Sequence, residues 1–246
     1  MNTCRTIVLI LMMAMVSFAQ PQSGDWILQK IDENIGSDNK ISHGKMIIQG
    51  RRGSRTIESK SWIQGNDKSF TEYLAPPREQ GTKMLKIEDQ LWTYSPSADR
   101  TIKISGHMLR QSVMGSDLSY EDLMEDRRLM NDYEAEIVGD ETIDGRLCWV
   151  LLLTSKGEDI AYFSRKIWVD KDRFVSLREE RYAKSGKLIK TTRIEKVRRI
   201  ENRWLPVEIV FKDELKTGEG TRFILVSIEF DAAIPAYIFS KASLRK

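Results

Sequence analysis

The sequence predicts a mainly β protein, an antiparallel meander that closes or nearly closes on itself. Three observations carry this reading. Apolar residues alternate at period two in short segments from Ile41 to Phe230. Turn formers (Gly, Asn, Asp, Pro) separate those segments at short intervals. The composition is that of a globular chain: 246 residues, 41% hydrophobic and 30% charged, enough to bury a substantial core.

One helix precedes the strands. Asp25 stands where a side chain can accept from the free N–H groups of a first turn, and Trp26, Ile27, Ile31 and Ile35 form one stripe up to Gly36. The period then changes to two. Ile41 to Gln49, Arg55 to Gln64, Lys68 to Leu74, Thr82 to Ile87, Gln90 to Tyr94 and Arg100 to Ile104 read as short strands. Strands resume with Tyr133 to Val138 and Leu147 to Thr154, then Arg165 to Asp170, Val175 to Ala183, Leu188 to Ile200, Trp204 to Lys212 and Thr221 to Phe230. This suits about eleven or twelve strands in one domain, since no linker, repeat or low-complexity tract divides the chain. Leu205, Val207, Ile209 and Phe211 alternate as in a strand covered on one face; Leu147 to Leu153 is apolar on both.

The stretch from Gly81 to Asp126 stands apart. Its first half alternates, with Trp92, Tyr94, Ile102 and Ile104 around a Ser-Pro turn. Its second half sets Met108, Leu109, Val113, Met114 and Leu118 among Gly, Ser and Asp, and Ser119 to Asp126 reads as a short helix. Of the six methionines after residue 19, four (Met108, Met114, Met124, Met130) lie between His107 and Asn131. Unbranched thioethers suit surfaces that adapt to what they cover. The segment therefore reads as a Met-rich flap over an apolar cavity. The candidate lining is Trp62, Met84, Leu85, Trp92, Tyr94, Trp149 and Trp168 on the strands, with Met108, Leu109, Val113, Met114 and Leu118 on the flap. For each strand tryptophan, ordinary core packing is the competing reading.

The chemistry of catalysis is sparse. His43 and His107 make no ligand pair, and a signal peptide ending at Ala19 would take Cys4 with it and leave Cys148 as one buried thiol. That signal peptide is expected from Arg5, the apolar run Thr6 to Phe18, and Ser17 and Ala19 at the small-residue positions. No phosphate loop or nucleophile elbow is present. Glu121, Asp122, Glu125 and Asp126 read as the solvated face of the short helix. A net charge of +3 gives no signature of nucleic-acid binding. From Arg181 to Arg203, however, nine basic residues face two acids, either a solvated strand pair or a docking strip for anionic groups. No cofactor and no metal are expected.

Several runs resemble the outer-membrane lipoprotein-sorting proteins, relatives of the periplasmic lipoprotein carrier. They are Pro76-Pro77 through Gly81-Thr82-Lys83-Met84-Leu85, Trp92-Thr93-Tyr94-Ser95-Pro96 with Arg100, and Leu205-Pro206 after Trp204. A further run is Met114-Gly115-Ser116-Asp117-Leu118-Ser119-Tyr120-Glu121-Asp122-Leu123, of which Gly115 to Leu123 is the most specific part. The resemblance implies a single unclosed antiparallel β-barrel of about eleven strands, with helices and a flap covering a concave apolar face. It further implies a non-enzymatic, monomeric periplasmic carrier of lipoprotein acyl chains or lipids, with an inner-membrane transporter and an outer-membrane acceptor as partners. An envelope sensing domain, or an accessory of an efflux-type transporter, is the other function the fold would serve.

Overall fold

The computed structural model describes residues 23–50, 53–124, 129–158 and 160–245. The expected signal peptide and its cleavage point, and Glu125 and Asp126, lie outside these residues.

Helix α1 (Gly24–Ile35) comes first. Its N-cap is Ser23, not Asp25: the Ser23 Oγ accepts from the Trp26 amide at 3.1 Å. Gly24 explains the earlier start, because a Cβ there would lie 2.3 Å from the carbonyl oxygen of Ala135. Only glycine lets the first turn rest directly on the sheet.

The strands are β1 (Asn39–Gly50), β2 (Gly53–Gln64), β3 (Lys68–Ala75), β4 (Lys83–Ile87), β5 (Gln90–Ser95) and β6 (Arg100–Ile104). After the flap come β7 (Tyr133–Ile143), β8 (Arg146–Ser155), β9 (Ser164–Asp170), β10 (Ser176–Tyr182), β11 (Leu188–Ile200), β12 (Arg203–Asp213) and β13 (Thr221–Phe230). The count is thirteen, one for each of the thirteen segments marked in the sequence, and above the eleven or twelve strands expected from them. They form one antiparallel sheet in the order β6-β5-β4-β3-β2-β1-β13-β12-β11-β10-β9-β8-β7. Because β1 pairs with β13, two meanders join along one seam, and β6 and β7 remain as edges of an open barrel.

The flap joins those two edges. It consists of 3-10 turns at Gly106–Arg110 and Val113–Gly115, then helix α2 (Tyr120–Met124) and helix α3 (Leu129–Asp132). Two further 3-10 turns, Ala236–Phe239 and Lys241–Arg245, close the described chain.

Register determines which residues share a face, since paired residues point the same way. One row runs across the sheet through Ile57, Met46, Phe223, Ile209 and Ile194. One residue pair along β11 and β12 it continues as Phe211, Thr192, Glu179, Ile167, Leu151 and Ile137. The flap packs at one end of this inner face and α1 at the other. Ile27, Leu28 and Ile31 of α1 cover Trp149, Leu151, Leu153, Ile167 and Val169. The outer face of β3 to β5 is covered differently, by Phe239 and Leu244 of the last turns against Phe70, Leu85 and Trp92.

The one-sided alternation expected along β12 does not hold throughout. Leu205, Val207 and Val210 are its buried apolar residues, while Ile209 and Phe211 are half-buried. Two register shifts on β11, around Lys196, change which residues of the pair face in. Leu147 to Leu153 also departs at Leu147 and Leu152, which are exposed.

Candidate functional site

The site is the inner face and what covers it. Under the flap it is apolar: Met46, Ile48, Ile57, Tyr73, Met84, Leu91 and Ile104 pack with Val113, and Met108, Leu109, Met114, Leu118, Tyr120 and Met124 lie half-buried against them. Under α1 it is apolar and aromatic. The Trp26 ring meets Trp149 and Phe174 edge-on at 6.5 and 5.6 Å.

Between the two covers lie Ile194, Ile209, Phe211 and Phe223, none fully buried. Gly44 on β1 belongs to this wall, since a Cβ there would lie 2.6 Å from the Phe223 ring. A pocket of about 170 Å³ opens here beside Ile31, Asn34, Phe174, Ile194, Trp204 and Pro206. Asn34 fixes the end of α1 there: its amide nitrogen donates to the carbonyls of Arg173 and Trp204, and its oxygen accepts from the Trp204 amide at 2.8 Å. Pockets that hold organic ligands run to roughly 300–1,000 Å³. This pocket lies below that range.

The candidate lining divides between the two faces. Met84 and the flap residues Met108, Leu109, Val113, Met114 and Leu118 come together on the inner face, and Trp149 joins that face beneath α1. Trp62, Leu85, Trp92 and Tyr94 belong to the outer cluster under the last turns. Trp168 packs with Cys148 and Val150 on the outer side of β8 and β9, where its Nε1 donates to Glu141 at 2.6 Å. Adjacent strand residues point to opposite faces, so Met84 and Leu85 cannot line one cavity. Burial of Cys148 raises its thiol pKa to about 11. Among the described residues no group of three or more His, Cys, Asp or Glu side chains could hold a metal ion.

The flap is held by polar anchors spread from Ser112 to Met124. Asp117 accepts from the Asp213 amide at 3.0 Å and from Thr221 Oγ1 at 2.7 Å. Lys216 Nζ donates to Ser112 Oγ and to the Ser116 carbonyl, both at 2.6 Å. Arg55 donates to the carbonyl of Met114, a residue in the left-handed region at φ 51°. Lys86, on the inner face of β4, donates to the Met124 carbonyl at 3.0 Å. At the start of α2, Ser119 and Asp122 form a reciprocal cap: the Ser119 amide donates to the Asp122 carboxylate at 2.6 Å, and the Asp122 amide to Ser119 Oγ at 3.3 Å.

Asp122 corrects the reading of a solvated acidic face, because its side chain is 3% exposed. Its carboxylate accepts from Tyr162 Oη at 2.7 Å and Arg181 at 3.1 Å, and it pairs with Lys190 Nζ. Arg181 also bonds Glu179 at 3.0 Å, and Arg165 bonds Glu179 at 2.8 Å. Arg165 stacks on Tyr133 at 4.7 Å. The basic run from Arg181 to Arg203 is thereby split: Arg181 and Lys190 turn inward, while Lys184, Lys187, Arg193, Lys196, Arg198 and Arg199 are exposed. Sequence reasoning missed this network, although the alternation along β10 and β11 places Arg181 and Lys190 opposite one another.

Burial works against ionisation of Glu179, but Arg181 and Arg165 prevail and hold its pKa at about 2. Asp122 is likewise opposed by burial, and Lys190 and Arg181 lower it below the ordinary value. A depressed carboxylate stabilises the fold above its unfolded pKa and loses that contribution as pH falls through the folded one. Urea midpoints should therefore stay level down to about pH 5 and then decline between about 4.5 and 2. Glu179→Gln should flatten part of that decline; an unchanged profile would place the acid-sensitive groups elsewhere.

Comparison with solved structures agrees with this architecture. A LolA superfamily protein from Nitrosomonas europaea superposes with TM-score 0.75 at 25% identity, over 90% of this chain and 99% of that one. An outer membrane lipoprotein-sorting protein domain from Vibrio parahaemolyticus gives 0.80 at 23%, over 91% and 98%. A DUF1329 family protein from Desulfovibrio piger gives 0.82 at 24%, over 90% and 97%. Residues 65–246 match the sequence model of a family described as "Uncharacterized protein". The chain belongs to this family, and its own fold is LolA-like. No curated protein matches it. In this LolA-like chain the most specific sequence run, Gly115 to Leu123, carries several of the flap's anchors, through Ser116, Asp117 and Asp122. No helix among the described residues is long and apolar enough to cross a membrane.

Proposed function

We propose that this LolA-like protein is an exported, non-enzymatic carrier. In this reading residues 20–246 act as one unit, after loss of the signal peptide, and shield acyl chains of lipoproteins or lipids in transit through the periplasm to the outer membrane. The observation that carries it is the inner face: apolar side chains run beneath two separate covers, and a row of half-buried Ile and Phe side chains lies between them. The lipoprotein-sorting name of one structural neighbour and the LolA superfamily assignment of another support the same cargo class.

The energetics are adequate. Each buried CH₂ contributes roughly 0.8 kcal/mol, so a chain of about sixteen carbons gains on the order of 10 kcal/mol before ordering costs. That suffices to hold a lipid without a specific polar contact. Delivery then depends on covers that move.

Mass spectrometry of the exported protein should find copurified acyl chains, and protein stripped of lipid should take up a labelled one. A stripped protein that takes up none would favour the sensing or accessory role. Leu109→Asp and Met114→Asp should abolish uptake with circular dichroism unchanged, since both side chains are half-buried over the apolar face. Uptake persisting in both would mean that the flap does not line the binding space.

A further inference from the structure

We propose that the buried cations Arg181 and Lys190 form a binding site for an anionic lipid head group, which Asp122 of the flap occupies in the closed protein. The proposal rests on the carrier reading and specifies its cargo: an acyl chain bearing a carboxylate or phosphate.

The wall supplies Arg165, Arg181 and Lys190 on one face, with side chains 4%, 12% and 11% exposed. Against them the sheet itself supplies Glu179, which bonds both arginines. Asp213 is the register partner of Lys190, but its carboxylate turns to the Leu215 amide and to Lys216. The carboxylate shared by Lys190 and Arg181 comes from Asp122, which belongs to the flap and not to the wall.

Withdrawing Asp122 from buried cations is unfavourable unless another anion takes its place. A flap that lifts to admit a lipid thus exposes a site that fits a carboxylate or phosphate: one ammonium, one guanidinium and the Tyr162 hydroxyl.

Position supports the assignment. Lys190, Arg181 and Arg165 pair across β11, β10 and β9 and then meet Leu153 on β8. The next inward-facing row is Thr192, Glu179, Ile167 and Leu151, about 7 Å away along the strands. That row leads directly to the half-buried Phe211 between α1 and the flap. A chain lying in this gap would bring its head group to the cations.

The test compares three probes on lipid-stripped protein by equilibrium titration: a fluorescent sixteen-carbon fatty acid, the matching fatty alcohol, and inorganic phosphate as competitor. The acid should bind at least about tenfold tighter than the alcohol, as one charge-assisted contact provides. Lys190→Met should remove the preference while keeping alcohol binding, and Asp122→Asn should enlarge it by removing the competing charge. Equal binding of acid and alcohol by the wild-type protein would overturn the head-group site and leave the carrier reading standing. Binding of neither would overturn both. Inhibition by millimolar phosphate of acid binding, but not of alcohol binding, supports the site. Phosphate bound equally well without any chain would assign the cations to a free anion instead. The wild-type comparison needs no variant, so a Lys190 substitution that fails to fold leaves it decisive.

Discussion

Asp122→Ala should destabilise the protein by about 3–5 kcal/mol at pH 7, the cost of removing one partner from a buried ion pair. The carboxylate ties Lys190, Arg181, Tyr162 and the Ser119 cap into one network, and its side chain is nearly inaccessible. Truncation leaves two cations buried beside an empty space and also uncaps α2. Asp122→Asn should cost less, because the amide oxygen still accepts from Ser119 while the charge is lost. Urea unfolding of the three proteins decides the order. A double-mutant cycle with Lys190→Met should show strong coupling, with the double variant less destabilised than the sum of the singles. A loss below about 1 kcal/mol for Asp122→Ala would mean that the pair behaves as an exposed one.

Leu244→Ala should cost about 2–5 kcal/mol, although Leu244 lies within two residues of the end of the sequence. It is fully buried in the outer cluster with Phe239, Phe70, Leu85 and Trp92. Tyr237 in the same segment is 61% exposed, so Tyr237→Ala should change stability by no more than about 0.5 kcal/mol. Equal midpoints for the two variants would show that the last turns do not stabilise the sheet. Lipid uptake should survive Leu244→Ala under conditions where that variant remains folded, since the segment covers the outer face and the proposed cargo lies on the inner one.

Much of the architecture was legible because strand formation depends on local alternation. Each of the thirteen strands lies on a segment marked by alternation or, for β8, by a continuous apolar run, and the stripe of α1 correctly identified Ile27 and Ile31 as buried. The pairing of β1 with β13 was not legible, since no local pattern records which distant strand closes a seam. Of the candidate lining, the flap residues could be placed over apolar strands from composition alone. The strand residues could not be assigned to one face. Period two divides Met84 from Leu85 without saying which of them looks inward. That choice depends on what packs against each side, and the cover over Leu85 comes from residues 236–245, whose short turns carry no strong periodicity.

Asp122 shows the same limit in electrostatics. A carboxylate in an acidic run near the start of a short helix is ordinarily solvated, and nothing within the run contradicts that. Its burial depends on Arg181 and Lys190, distant in sequence and brought to it by the sheet. By itself the sequence determined the strands, α1 and the Met-rich flap, because these follow from the spacing of neighbouring residues. The tertiary structure alone decided which face of each strand meets the flap, α1 or the last turns. It alone turned two members of a basic run inward, because burial and charge compensation are set by residues far apart along the chain.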